Sequence, residues 1–196
     1  MRKILALLLA LAAPALPAAP VDYVLDPQHS WVQWEVVHFG TSTIRGRFGP
    51  AEGVVTLDRA AGRGEASVSL PTASVSTGIG LFDAHLRGAD LLDTATHPTA
   101  WFVSRQLRFD GDRLVELRGE FTWRGQSQPL TLTALRFGCY QHPRLQREVC
   151  GGDFEGRLKR SDFGAGYGLP LVADPVTLRV QVEGVRTDAP AAAPAR

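Results

Sequence analysis

The sequence has few of the residues, and none of the short motifs, that commonly mark a catalytic or metal site. It contains two cysteines and five histidines, and no histidine stands in an H-x-H or H-E-x-x-H pattern. Glycine-rich phosphate loops and the nucleophile motif G-x-S-x-G are absent as well. We therefore predict no catalytic residue, no metal site and no cofactor.

Neither sign of charge dominates the chain, and only one apolar run is long. The 21 basic and 20 acidic residues form no patch or block, which argues against a nucleic-acid partner. The apolar run Ile4–Ala13 follows the basic start Met1–Lys3 and precedes an A-x-A site at Ala13–Ala15. This three-part form is typical of a secretory signal peptide, and the run is about half of the ~20 apolar residues that span a bilayer.

We therefore expect residues 1–19 to be a signal peptide that is cleaved near Ala15–Ala19. Residues 20–188 would then form one exported domain without stable membrane insertion. Its predicted location is the periplasm, or the outside of the cell if the host has no outer membrane. Residues 189–196 are rich in alanine and proline and are predicted to be disordered.

The two cysteines, Cys139 and Cys150, have ten residues between them. In an oxidising compartment such a pair predicts a structural disulfide, and closing so short a loop is worth roughly 2–3 kcal/mol. A redox motif would have C-x-x-C spacing, and a zinc site would need more ligands. We therefore favour the disulfide.

The apolar pattern after the predicted signal is mostly period two, with breaks at Gly, Pro or Asp. Val176–Glu183 is the clearest case, because valine and leucine alternate there with polar residues. Further strands are predicted at Trp31–His38, Thr43–Phe48, Val54–Leu57, Ala66–Leu70, Trp101–Phe109, Val115–Trp123, Pro129–Phe137 and Phe154–Arg160. About eight antiparallel strands, with one or two short helices within Gly80–Thr96, indicate an all-β fold closed as an up-and-down barrel.

Four polar residues are candidates for a head-group contact at the rim of the barrel: His38, Asp83, His85 and Arg160. On a helix, Asp83 and Arg87 stand at positions i and i+4 and can pair. That helix either fastens itself to the barrel or places His85 at the mouth. Arg160 shares the parity of inward residues, and a buried charge needs a partner. We expect an ion pair with Asp83 or Asp162 in preference to a ligand contact.

Several short segments, spread in order over most of the chain, carry a family resemblance. They are Asp26–Ser30, Val36–Gly40, Ile44–Phe48, Ser74–Gly78, Asp83–Arg87, His97-Pro98, Phe102–Ser104 and Arg160–Gly164. Together they resemble the YceI-like polyisoprenoid-binding proteins. The resemblance implies an extended lipocalin-like antiparallel β-barrel in the periplasm, with an isoprenoid-tailed ligand inside.

Three features depart from the pattern of that family. Phe82 stands where the family usually has Arg, and Leu91-Leu92 stands where it usually has paired Phe. The loop bracketed by Cys139 and Cys150 is not a general family feature. The first two departures fall where they could reshape the entrance to the ligand site.

The function that these observations predict is the carriage or sequestration of an isoprenoid or other long-chain lipid, without catalysis. The inward positions would form the wall of an apolar tunnel: Val32, Trp34, Val36, Val68, Leu117, Phe121, Trp123, Leu132, Leu158, Leu178 and Val180.

Three questions stay open at this point. The same inward residues would also suit a filled barrel, although inward Gly119 and Gly156 favour empty space. A secreted interaction module that uses the exterior of the barrel is the alternative function, and a lipid hydrolase or isomerase is a third. The oligomeric state is also open, with a homodimer as one option.

Overall fold

The computed structural model describes residues 19–188, so the predicted signal peptide, apart from Ala19, and the predicted disordered tail lie outside the described residues. The strands are β1 (Val21–Leu25), β2 (Trp31–His38), β3 (Ser42–Phe48), β4 (Glu52–Asp58), β5 (Arg63–Pro71), β6 (Thr99–Asp110), β7 (Arg113–Trp123), β8 (Gln126–Gln141), β9 (Glu148–Lys159) and β10 (Val172–Arg186). Helix α1 spans Gly80–Leu86, and short 3-10 helices lie at Thr72–Ser74 and Arg160–Phe163.

All the strands belong to one antiparallel sheet that closes on itself. Its order runs β1-β4-β5-β6-β7-β8-β9-β10, and β10 pairs back with β1. Strands β2 and β3 continue the lines of β1 and β4, because β2 pairs with the first half of β10 and with β3. The barrel therefore has eight strand positions, two of which are occupied by broken strands. This confirms the predicted extended antiparallel barrel.

The ring of strands is continuous at one end of the barrel, whereas at the other end a segment that contains a helix lies beside β3. Strand β3 has a single bridge on its far side, in which Arg47 and Ser76 exchange backbone hydrogen bonds. The polypeptide from Ser76 to Pro98 fills the remaining gap and contains α1. We call this end the mouth. No helix within residues 19–188 is long and apolar enough to cross a membrane.

Helix α1 lies within the window Gly80–Thr96, where one or two short helices were predicted. The chain leaves the helix after Leu86, and the residues that follow form turns whose N–H groups bond back to the carbonyls of Gly88 and Asp93. The rest of the predicted window is therefore built from compact turns rather than from a second α-helix.

The end opposite the mouth is closed by polar contacts and by a covalent bond. Tyr23, almost fully buried, donates a hydrogen bond from its hydroxyl to Glu148, and Arg59 donates to the same carboxylate at 2.9 Å. Cys139 and Cys150 face each other across β8 and β9 and form a disulfide of 2.05 Å. The predicted disulfide is therefore confirmed.

Candidate ligand-binding cavity

The barrel contains an apolar cavity of about 620 Å³ at the mouth end. Its wall combines inward residues of the strands with residues of the mouth segments. The strands contribute Trp34, Val36, Ile44, Phe48, Phe121, Trp123, Leu158, Val176 and Leu178, among others. Helix α1, the turns after it and the loop before β10 contribute Phe82, His85, Leu86, Leu91, Leu92, Tyr167 and Leu171.

A second, smaller cavity of about 150 Å³ lies deeper in the barrel. It shares five wall residues with the first cavity, which are Phe48, Leu70, Ala100, Phe121 and Leu178. The two spaces are therefore neighbours within the barrel and share part of their wall.

The structure places all eleven predicted wall residues at these cavities. Trp34, Val36, Trp123 and Leu158 line the larger one. The smaller one is lined by Val32, Val68, Leu117, Leu132 and Val180. Phe121 and Leu178 border both. Period-two parity alone was enough to find them, because successive side chains in a strand point to opposite faces. That they contact a ligand stays a prediction.

The barrel is hollow, but not for the reason expected from its glycines. A side chain at Gly119 would collide with the ring of Phe102, at 2.8 Å, and with the carbonyl oxygen of Val103. A side chain at Gly156 would lie 2.7 Å from Leu132. The prediction that these two glycines leave empty space is therefore wrong, because backbone and side-chain atoms of the neighbouring strands already fill both positions.

Arg160 is buried and lines the larger cavity, but the predicted ion pair with Asp83 or Asp162 does not form. Its guanidinium donates hydrogen bonds to four backbone carbonyls instead, those of Ala165, Tyr167, Val172 and Ala173. Burial lowers the pKa of Arg160, and the negative charge of Asp174 opposes that shift. Arg160 therefore holds the loop between β9 and β10 in place at the mouth.

Asp83 and Arg87 both bind the segment that precedes α1. They do so through separate hydrogen bonds and do not form the i,i+4 ion pair considered from the sequence. Asp83, which is buried, accepts hydrogen bonds at 2.7 Å from both the hydroxyl and the N–H of Thr77, and these lower its pKa. Arg87 donates to the carbonyls of Ala73 and Val75. Asp83 thus faces the backbone before α1 and does not line the cavity.

The two candidate rim histidines do border the cavity. His85 on α1 packs edge-on against Tyr167, with ring centroids 5.2 Å apart. His38, at the end of β2, contacts the ring of Phe39 in the same manner at 4.5 Å. Both therefore stand where a polar head group would sit if an apolar tail filled the cavity.

Two polar atoms of the cavity wall have no partner among the described residues. They are the indole N–H groups of Trp34 and Trp123, both buried. A buried donor without an acceptor costs about 1–3 kcal/mol. An oxygen atom on a ligand could remove that cost.

The sequence signal missed part of the wall. Ile44 and Val176 share the parity of Val36 and pair beside it across three strands, so the alternation rule would have identified them. Tyr167 and Leu171 lie in a loop without any period. Phe82, Leu91 and Leu92, at which the sequence departs from the family pattern, all border the cavity.

Comparison with known proteins identifies the family. Residues 23–184 match the YceI-like domain. The chain belongs to this family. It is 34% identical over 172 residues to "Protein YceI" of Escherichia coli O157:H7, covering 86% of this chain and 89% of the relative.

Solved structures share the same fold. The YCEI protein of Campylobacter jejuni superposes with a TM-score of 0.68 at 24% identity, over 78% of this chain and 90% of that one. A domain from Saccharophagus degradans, described as a polyisoprenoid-binding domain, has a TM-score of 0.59 at 17% identity, over 85% of this chain and 99% of that one.

Proposed function

We propose that this YceI-like protein binds the tail of an isoprenoid-like or other long-chain lipid in the barrel, in the periplasm, and performs no catalysis. The observation that carries the proposal is the apolar cavity at the mouth. Its volume of about 620 Å³ lies within the ~300–1,000 Å³ typical of small-molecule sites. The description of the Saccharophagus domain as polyisoprenoid-binding supports the same ligand class.

The binding energy would come from removing the tail from water. Each buried methylene contributes about 0.8 kcal/mol, so roughly ten carbons nominally contribute ~8 kcal/mol before the cost of ordering the tail. Affinity would therefore depend on the length of the tail. Selectivity would depend on the few polar groups near the mouth, namely His38, His85 and the two indole N–H groups.

The non-catalytic role rests on how the polar groups are used. Arg160 donates hydrogen bonds to four backbone carbonyls, and Asp83 accepts hydrogen bonds from Thr77. Neither group is therefore available to act as an acid, base or nucleophile toward a ligand. The periplasmic location is proposed from the signal-like N-terminus and from the disulfide, a bond that persists in oxidising compartments.

The test is a pair of variants at adjacent positions on opposite faces of β2. Val36 points into the larger cavity, whereas Val37 is exposed on the outer face. Val36→Trp should fill the cavity and strongly reduce the lipid that co-purifies with the protein. Val37→Trp adds the same bulk outside and should leave the lipid content at the level of the parent.

Solvent extraction followed by mass spectrometry measures the bound lipid, and circular dichroism checks that both variants fold. Equal lipid content in folded Val36→Trp and in the parent would contradict binding in this cavity. A parent that carries no lipid, and takes up none offered in detergent, would favour the alternative of an interaction module that uses the exterior. Recovery of an altered lipid after incubation would indicate an enzyme.

A further inference from the structure

Large apolar side chains project into solvent around the mouth. Leu81 is 89% exposed, Ile79 62%, Leu171 57%, Tyr167 54% and Phe39 53%. They come from three separate segments: the start of α1, the loop before β10 and the β2–β3 turn. Single exposed leucines are common on protein surfaces. Five large apolar residues around one opening form a patch, and such patches are typical of interaction sites.

These residues belong to one continuous rim. Phe39 donates its backbone N–H to the carbonyl of Leu171 at 2.7 Å, which joins the turn to the loop. His85 on α1 contacts Tyr167, which joins the loop to the helix. Phe39, Tyr167 and Leu171 are exposed and also line the larger cavity, so the cavity reaches the surface within this rim.

The three rim segments contain no Asp, Glu, Lys or Arg. The charge-free stretches run from Val36 to Ile44, from Ala66 to Phe82 and from Phe163 to Ala173. Charged residues make up 21% of the chain, or about one in five positions. Their absence from all three stretches matches a surface that enters a medium in which charges are costly.

We propose that this rim docks reversibly on the surface of a lipid bilayer, with Ile79, Leu81 and Leu171 entering the acyl region. Tyr167 would lie at the level of the headgroups, where amphipathic aromatic rings are favoured. The cavity would then open directly onto the hydrocarbon, and a lipid tail could enter or leave without crossing water.

A bilayer fits the rim better than a protein partner does. The rim surrounds an apolar opening rather than a closed face, and a bilayer is the one partner whose interior continues the chemistry of the cavity. A protein interface normally carries polar and charged residues around its apolar centre. Interfacial binding driven by apolar area, without a basic patch, should also be insensitive to salt.

The inference rests on the proposed lipid-binding function, so its test separates the two. The rim variant Ile79→Asp/Leu81→Asp alters two exposed residues that do not line the cavity. Ile79 is the N-cap of α1, a position where Asp is favoured, so the helix should persist. The matched control is Leu135→Asp/Leu145→Asp, two exposed leucines placed on β8 and in the β8–β9 turn, away from the mouth.

Two measurements are made on each protein: co-sedimentation with phosphatidylethanolamine–phosphatidylglycerol vesicles, and uptake of a fluorescent long-chain alkyl probe from detergent solution. We expect the rim variant to bind vesicles at least about tenfold more weakly than the parent, because each leucine leaving an apolar medium is worth more than one decade. Probe uptake should be unchanged, and the control should match the parent in both assays. Vesicle binding by the parent should be the same at low and high salt.

Four results would overturn docking on the bilayer. The first is a parent that binds vesicles no better than the rim variant. The second is vesicle binding that is lost in 0.5 M NaCl, which would indicate attraction between charges. The third is an equal loss in the control variant. The fourth is a parent that is a dimer in solution and becomes monomeric in the rim variant, which would show that a second copy covers the rim. A parent that binds vesicles through the rim but takes up no probe would instead contradict the proposed function alone.

Discussion

The indole of Trp34 lies flat against Gly46, the residue directly opposite it on β3. A methyl group at position 46 would lie 2.5 Å from Cζ2 of that ring. Trp34 also lines the larger cavity, so a side chain at position 46 that displaces the ring is expected to change that space. Gly46 thus leaves room for the indole against β3.

We therefore expect Gly46→Ala to push the Trp34 ring inward and to reduce the amount of bound lipid. The free energy of unfolding should fall by about 1–3 kcal/mol, the usual cost of an added group in a packed site. Lipid extraction and urea denaturation measure the two effects. Gly138→Ala is the control, because nothing lies within 4 Å of a methyl group at that position. Wild-type lipid content in Gly46→Ala would show that the ring does not limit the site.

Tyr23 should stabilise the closed end of the barrel. Tyr23→Phe removes a buried hydrogen bond to the Glu148 carboxylate, and bonds to charged groups are worth about 1.5–3 kcal/mol. We expect a loss of that size in the free energy of unfolding. Tyr140→Phe, which removes an exposed bond to Glu183, should cost less than about 0.5 kcal/mol. Equal losses of unfolding free energy in the two variants would show that burial does not strengthen the hydrogen bond of Tyr23.

The same tyrosine predicts a dependence of stability on alkaline pH. Burial, followed by the hydrogen bond to Glu148 and its negative charge, raises the pKa of Tyr23 above the ordinary 10.0. Its folded form keeps the proton where the unfolded form loses it. The stabilisation is complete below pH 10 and falls as the pH rises above that value. Denaturation curves between pH 9 and 11 should show a smaller decline in Tyr23→Phe than in the parent.

Arg160 should be the residue on which the mouth loop most depends. Arg160→Met removes the donors for four carbonyls while keeping an apolar side chain of similar length. We expect a loss of about 3 kcal/mol in the free energy of unfolding, together with faster amide exchange in the loop of residues 164–171. Arg157→Met, at an exposed position on β9, should be close to neutral. Unchanged exchange in that loop would show that the carbonyls find other donors.

The disulfide should stabilise the protein without affecting lipid binding in the larger cavity. Replacing both Cys139 and Cys150 by Ala opens a short loop, and the chain-entropy model gives a loss of about 2–3 kcal/mol. Neither residue lines the cavity at the mouth, so the lipid content of the folded variant should stay at the parental level. Peptide mapping without reductant should recover both cysteines in one linked species. Free thiols in the parent would contradict the bond.

The alternation of side chains was sufficient to predict most of the barrel. Each side chain in a strand is fixed to one face, so the inward set of β10 follows from the positions of Leu178 and Val180 alone. The break between β3 and β4 follows from the sequence, because Thr43–Phe48 and Val54–Leu57 are predicted as separate strands. Strand β1, which is only five residues long, was not predicted. The sharing of one strand position by β1 and β2, and of another by β4 and β3, was not predicted either, because it depends on the strand with which each half pairs.

The contacts at the mouth could not be predicted, because their partners are not side chains. The sequence predicts an acidic partner for Arg160, but backbone carbonyls accept its hydrogen bonds instead. Every residue has a backbone carbonyl, so the sequence does not indicate which ones will be used. The prediction that the two inward glycines leave empty space was wrong for a related reason. Whether Gly119 leaves a void depends on how closely the backbone of Val103 and the ring of Phe102 approach it from the adjacent strand, and period-two parity carries no information about such distances.

Strand β10 has a consequence for the order in which the barrel can form. Along one edge it pairs with β9. Along the other edge its first part pairs with β2 and its last residues pair with β1. Among the strands within residues 19–188, it is also the last to be synthesised. The ring cannot close before this strand is available, so a nascent chain that lacks it holds at most an open, curled sheet.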